Sequence, residues 1–497
     1  MRILSSIILK LDKVSYRSIW LAIFIYSTVL GFLFQLLILP SIPQIHAGDG
    51  LISGGDWVGY HRIAKDLSLK INSFGWNEWD LKPYGQTAAG IASIVYALTI
   101  PKPFVLVPFY AAILATSSLI LFSISNNLLK DKFSAFISII PFVVFPTNIM
   151  IYNQIGKDAL FFLGVYLCLF SWALIFKNDI STKKLFMPIL FFLVGTFFMW
   201  VVRQYSISIL TYTIYLLMAL SLLQFILDVK LFILNYKKYI LRLFILIFSI
   251  FSLKMYYVDQ SDARGKLETE EIIFEADSTQ VDSFEFDSSE VDSPKPKTKR
   301  FKYIIPDKQN IEWHGIIFAR EKWQKSELLP GKIDDLFLNI GILRNGYLQD
   351  FTDRKELYKN TGSNIDVEIH LTSVTHFFKY TPRALQIGLF APFPTDWFGD
   401  FKSAQGINSV KYIIAIETLI SYICLLAFPF LIFRLWHNPF FYITLFFSLG
   451  MILLYAFATP NIGTLYRLRY GFIMPLITIS LGFAISKIVN FYKLRQL

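Results

Sequence analysis

Acids and cations able to handle an anion recur in a few short stretches of this chain. GGDWVGYHR (54–62) groups Asp56 with Trp57, Tyr60, His61 and Arg62. NQIGKDALFF carries Lys157 and Asp158, WVVRQYS carries Arg203, YTPRALQIGLFAPFP carries Arg383, and NIGTLYRLRYGFIMP carries Arg467 and Arg469. An arginine fork bonds phosphate through two parallel N–H groups, and a lysine supplies a compact point charge. A carboxylate adds what cations lack, because it can take a proton from a hydroxyl. Sugar transfer from a lipid phosphate calls for both chemistries: a base for the acceptor hydroxyl, and cations for the departing phosphate. Asp56 is the candidate base and Asp158 its support, with Lys157, Arg203, Arg383, Arg467 and Arg469 as candidate phosphate ligands. Trp57, Tyr60 and His61 are candidate contacts to a sugar or acceptor. Plainer roles compete: Asp56 as a helix N-cap, and each long cation as an interfacial anchor whose stem lies on apolar surface. Asp49, in HAGDG, reads as a turn residue between glycines.

The elements that must position these residues are membrane helices. The 497 residues are 55% hydrophobic with 49 Phe, and the mean hydropathy of +0.51 exceeds what a soluble surface tolerates. The expected fold is an all-α polytopic membrane protein. About ten spans are expected, near 18–40, 104–125, 133–151, 158–176, 185–202, 206–227, 239–258, 409–433, 438–458 and 470–490. An even number leaves both termini on one side. Short connections there hold Lys130, Lys132, Lys177, Lys183, Lys230, Arg434 and Lys487, which marks that side as cytoplasmic. The anion-handling residues fall at the opposite ends, with Arg467 and Arg469 in the last outer loop, where the positive-inside rule gives no reason for a cation. Asp56 opens WVGYHRIAKDLSLKI, an amphipathic helix with Trp57, Tyr60, Ile63, Ala64, Leu67 and Ile71 along one side, suited to lie in the interface.

Four regions follow from the composition. Residues 1–258 form an N-terminal transmembrane module with a first external loop at 41–103. Residues 259–300 hold an acidic Asp-Ser repeat, at Asp277, Asp282, Asp287 and Asp292, and the basic tract PKPKTKR; both read as a disordered linker. The repeat lacks the glycines that fold a chain around calcium. Residues 301–408 read as an external subdomain with an interfacial helix, and 409–497 as the C-terminal spans. Cys168 and Cys424 lie in apolar runs and offer no disulfide framework. No phosphate loop, dinucleotide fingerprint or nucleophile elbow is present, so no soluble nucleotide cofactor is expected. The histidines lack zinc-ligand spacing, and the scattered cations form no stripe for nucleic acid. A divalent ion at Asp56 and Asp158 stays open as a cofactor.

The layout combines a basic N-terminus, one span, an external Asp with Tyr and an interfacial helix, KPYGQTAAGIASIVYALTIPKP, and a helical hairpin bearing an acid at its outer mouth. Over about the first 230 residues it resembles the GT-C superfamily of polytopic glycosyltransferases, in its bacterial surface-polysaccharide branch. That superfamily includes the protein O-mannosyltransferases and the lipid A aminoarabinose transferase. The resemblance implies an enzyme of the bacterial inner membrane. It would move a sugar from a polyprenyl-phosphate carrier to a cell-envelope polysaccharide or lipid acceptor at the outer face. It gives Asp56 the part of the first-loop acid and Asp158 that of the second acid near the fourth span. Pro83 and Tyr84 match the Pro-aromatic start of the second interfacial helix, with Tyr84 a further sugar or acceptor contact. Members often carry paired acids in the first-loop motif, whereas Trp57 follows Asp56 here. The C-terminal half, with PRALQIGLFAPFP and NIGTLYRLRYGFIMP, resembles large polysaccharide-assembly proteins, among which polymerases and ligases also rely on outward arginines. A repeat-unit polymerase or ligase acting on lipid pyrophosphate is therefore the alternative expectation. A lipid-linked-sugar flippase ranks third, since a transporter places charge near the bilayer midplane and uses paired repeats.

Overall fold

The computed structural model describes residues 14–176, 186–203, 206–230, 236–254, 322–327, 329–353, 363–398, 408–435 and 438–494. The Asp-Ser repeat, the PKPKTKR tract, and the part of the expected external subdomain between 301 and 321 lie outside the described residues. What is described is helical, with isolated bridges and no β-strand.

Helix α1 (Tyr16–Leu33) begins under a Ser15 cap, whose hydroxyl accepts from Ser18 N at 3.0 Å, and runs on through a π-helical turn at Phe34–Ile38. The first loop then supplies α2 (Trp57–Phe74) and α3 (Thr87–Leu98), which pack on each other. Helix α4 (Val107–Leu129) leads into α5 (Lys132–Ser138), α6 (Ile140–Val144) and α7 (Pro146–Tyr152). This run bends by 68° between Val144 and Pro146. Proline brings no N–H to the ladder and drives the residue before it out of the helical region, and Phe145 indeed has ψ 137°. There follow α8 (Asp158–Ile175), α9 (Phe186–Val202), α10 (Ser206–Lys230) and α11 (Tyr236–Lys254). The remaining helices longer than one turn are α12 (Gly331–Asp353), α13 (Val374–Phe390), α14 (Asn408–Leu425), α15 (Phe428–Arg434), α16 (Pro439–Ala458) and α17 (Ile462–Leu494).

Among the described residues six stretches are long and apolar enough to cross a membrane: Tyr16–Ile38, Pro103–Leu129, Asp158–Ile175, Tyr412–Arg434, Pro439–Ala458 and Ile462–Phe491. The bent run makes a seventh when counted as one span, and Phe186–Val202 and Leu210–Ile226 are apolar but shorter. The chain is an integral membrane protein. The last span starts earlier than the sequence suggests. Asn461 caps it by accepting from Thr464 N at 2.9 Å, so Arg467 and Arg469 belong to α17 and not to a loop.

Helix α8 is the centre of the bundle, packed by α4, α9, α16 and α17 and buried on nearly every side. Its sequence is apolar all round, as burial on all faces requires. It meets α9 backbone to backbone: a Cβ on either Gly164 or Gly195 would stand 2.7 Å from the other glycine's carbonyl oxygen. Small residues permit this approach where apolar area alone gives helices in lipid no reason to associate. Gly164→Val is expected to destabilise the protein by about 1–3 kcal/mol through overpacking, read as a lower thermal midpoint in detergent. Gly59→Ala, with no atom within 4 Å of the added carbon, is expected to leave the midpoint unchanged or slightly raised.

Candidate functional site

Three local devices bring distant acids and cations together. In NQIGKD, Gln154 fastens the first loop to the turn before α8: its Oε1 accepts from Ile52 N at 3.0 Å and its Nε2 donates to the Gly50 carbonyl at 3.3 Å. Thr87 Oγ1 donates to the Val201 carbonyl at 2.7 Å, tying the start of α3 to the end of α9. The Asn461 cap fixes the start of α17, and Asn461 Nδ2 also reaches Ser363 and Asn364, each at 2.9 Å. As a result the start of α2 (Asp56), the start of α8 (Lys157 and Asp158), the end of α9 (Arg203) and the second turn of α17 (Arg467) meet.

Asp158 lies between two arginines. One carboxylate oxygen accepts from Arg203 Nη2, and the other is 3.2 Å from Arg467 Nε as an ion pair. Arg467 also extends to Asp56, with Nη2 3.7 Å from Oδ2. Arg203 Nη1 donates to Tyr455 Oη at 3.1 Å, and its guanidinium lies 4.7 Å over the Phe161 ring. Lys157 Nζ stands 5.4 Å over the Tyr60 ring. Side-chain exposure is graded: 10% for Asp158 and Arg203, 28% for Arg467, 63% for Asp56. The inner pair is sealed, and the outer carboxylate faces the surroundings.

Helix polarity supports the arrangement, because Asp158 sits in the first turn of α8, where the helix dipole favours an anion. Three cations against two carboxylates leave the cluster with an excess of one positive charge, and Lys157 has no ion-pair partner among the described residues. Burial, and then the neighbouring Arg203, hold the Lys157 ammonium below its ordinary value. Burial, with Asp56 and Asp158 beside it, pushes the Tyr60 phenol well up, so it stays a neutral hydrogen-bond donor. Asp56 stands at the N-cap position of α2, yet its side chain makes no capping hydrogen bond and its backbone is already helical, with φ −62° and ψ −21°. Its carboxylate is directed at Arg467 instead.

Other candidate residues lie elsewhere. Arg469, two positions beyond Arg467, is about 200° around the same helix and points inward. It is 3% exposed. Its guanidinium donates to the carbonyls of Ile387 at 3.1 Å and Gly388 at 2.6 Å, and to that of Ala391, closing the end of α13. Arg383 forms a two-point pair with Asp366, at 3.0 and 3.2 Å. Neither joins the cluster, whose cations among the candidates are Lys157, Arg203 and Arg467. Trp57 is 6% exposed, donates to the Ile52 carbonyl and packs in the interior. His61 is buried with Nδ1 2.9 Å from Tyr96 Oη, and its Nε2 is 3.6 Å from Asp49. Asp49 has the expected turn geometry, φ +51° between glycines, but it also pairs with Lys102 at 2.6 Å and so braces the first loop. No local signal reveals that pairing, since the partners are 53 positions apart. Tyr84 is 59% exposed in the turn before α3, outside these contacts. Tyr455 and Phe161 escaped sequence reasoning, because an aromatic inside an apolar span is ordinary filler.

The donor set does not suit a divalent ion. No three His, Cys, Asp or Glu converge among the described residues, and arginine nitrogens engage both Asp158 oxygens and one Asp56 oxygen. No family model, curated protein or solved structure matches this chain.

Asp158→Asn is expected to cost about 3–5 kcal/mol, because it leaves a sealed guanidinium without its counter-charge. Asp56→Asn should stay within about 0.5 kcal/mol; thermal unfolding of both purified variants in detergent checks the contrast. Burial, opposed by Asp49, pushes the His61 imidazole below its ordinary 6.5. The unfolded chain is then the better proton acceptor, so stability is full above pH 6.5 and falls as pH drops through that value. The loss of thermal midpoint between about pH 7.5 and pH 5.5 is expected to be smaller in His61→Gln than in the parent.

Proposed function

We propose that this protein is a membrane glycosyltransferase that moves a sugar from a polyprenyl-phosphate-linked donor to a hydroxyl of a cell-envelope polysaccharide or lipid, at the outer face of a bacterial inner membrane. The observation that carries the reading is the meeting of one exposed carboxylate, Asp56, with cations contributed by helix ends far apart in sequence. Asp56 takes the proton of the acceptor hydroxyl as its oxygen bonds to the sugar's anomeric carbon. The carbon–oxygen bond to phosphate breaks, and the phosphate keeps the electron pair. Lys157 and Arg467 offset the charge that grows on that oxygen. Asp158 acts through Arg467, holding its guanidinium in place, and Arg203 in turn neutralises Asp158. The neutral Tyr60 hydroxyl is available to the sugar.

One feature of the first loop agrees with this reading. Helices α2 and α3 lie between the first two spans and pack together, and the GT-C likeness implies two interfacial helices in this loop. An arrangement of about ten spans with both termini cytoplasmic would put the cluster outside. The excess of cations also fits a pyrophosphate, which makes a repeat-unit polymerase or ligase the second reading.

In lipid nanodiscs with a labelled lipid-linked sugar, Asp56→Asn is expected to lower turnover by at least about a hundredfold while donor affinity stays at the parent's level. An Asn variant as fast as the parent would remove Asp56 from the reaction. In a deletion strain, altered sugar composition supports the transferase, whereas loss of long chains with single repeats retained supports the polymerase.

A further inference from the structure

An open cavity of about 590 Å³ lies between α15 and the C-terminal part of α17, away from the carboxylate cluster. One wall is Ala427, Phe430, Phe433 and Arg434; the other is Phe483, Ala484 and Lys487. Spacing of three and four residues puts each set on one helical face. The two alanines leave unfilled a gap that larger side chains would close. Phe430 and Phe433 are 70% and 80% exposed, so the cleft presents aromatic surface that no described residue covers. Both helices belong to membrane spans, Tyr412–Arg434 and Ile462–Phe491, so bilayer hydrocarbon is the medium against it.

The rim is cationic. Arg434 ends its span and Lys487 lies near the end of the other, and the intervening span Pro439–Ala458 puts both ends on the same side. That is the depth at which headgroups sit. Neither cation has an ion-pair partner among the described residues, and no carboxylate lines the cleft. Lys487 Nζ rests 5.5 Å over the Phe483 ring, which orients the ammonium over the cleft without neutralising it. An apolar slot with two unmatched cations at its mouth complements an acyl chain with a phosphate at its head.

We propose that this groove binds one anionic glycerophospholipid of the surrounding bilayer, its acyl chain between α15 and α17 and its phosphate between Arg434 and Lys487. The site is independent of the transferase reading.

The full-length protein in mixed micelles with equal amounts of phosphatidylglycerol and phosphatidylcholine of matched chains, studied by native mass spectrometry, tests it. The first lipid adduct is expected to favour phosphatidylglycerol, by about fivefold for each cation at low ionic strength. Arg434→Gln with Lys487→Gln should bring the two lipids to parity, while Lys70→Gln, exposed on α2, should keep the preference. Ala484→Phe should remove the tight adduct although both cations remain. Equal uptake of the two lipids by the parent, or a preference retained in the double variant, overturns the proposal. Should the variants fail to fold, the parent alone decides: its preference must fall as salt rises, and a salt-independent preference overturns the assignment. Glycerol 3-phosphate should fail to displace the lipid at equal concentration; displacement would show that the cations bind without the cleft and overturn the acyl-chain seat.

Discussion

Asp158 sits where α8, α9 and α17 meet, and a carboxylate withdrawn from water there costs several kcal/mol unless a cation with good geometry accompanies it. Arg203 and Arg467 supply that match from two different helices. The requirement fixes how the helix ends align: α9 must end, and α17 must begin, at the level where α8 starts. Tyr455 adds the end of α16 to the same knot through Arg203. The glycine contact between α8 and α9 brings the backbones close enough for the pair to form. Such a pair contributes less to net stability than to the choice of one arrangement, since misaligned helix ends would strand its charges. Arg467 then connects the sealed carboxylate to the exposed one, which makes the geometry of Asp56 a consequence of the knot below it.

Among the described residues two uses of arginine stand apart by the type of partner. Arg469 closes the end of α13. Arg242 donates to the carbonyls of Ile175 and Phe176 at the end of α8, at 3.3 and 3.1 Å. Arg344 does the same for the carbonyls of Ile369, Asp366 and Phe457, at 2.8, 2.7 and 3.2 Å. Carbonyls at helix ends and in turns have no intrahelical donor, and inside a membrane protein water does not make good the loss. The planar fork of five N–H donors answers several carbonyls at once. Arg203 and Arg467 instead meet carboxylates and Lys157 lies over a ring, so the cluster as a whole keeps one positive charge in excess.

Much of the cluster was legible in the sequence. Lys157, Asp158, Arg203 and Arg467 all stand next to apolar runs, where an ionisable side chain has few roles, and Asp56 opens the amphipathic helix of the first loop. Tyr60 was legible too, as part of the same nine-residue stretch as Asp56. The division between Arg467 and Arg469 was not. With both placed in a loop, they looked equivalent; with the helix starting at Ile462, a two-residue offset sends one to the cluster and the other into the interior. Trp57 misled for the opposite reason, since an aromatic beside a candidate base suggests a sugar platform until its burial is seen. The span count shows the same limit: hydropathy finds the apolar stretches, but a 68° bend at Pro146 decides whether 133–151 crosses as one rod.

The sequence by itself determined that the chain is helical and lives in a membrane, because hydrocarbon admits apolar runs and demands that their backbone bonds close internally. It also determined which ionisable groups stand at the ends of those runs. Only the tertiary structure decided which of them meet, that Asp56 turns to Arg467 and does not cap its own helix, and which arginines are spent on backbone carbonyls. Charge is a property of one residue. A partner is a property of packing, and the partners of Asp158 come from segments brought together by bonds as distant in sequence as Gln154 to Ile52 and Thr87 to Val201.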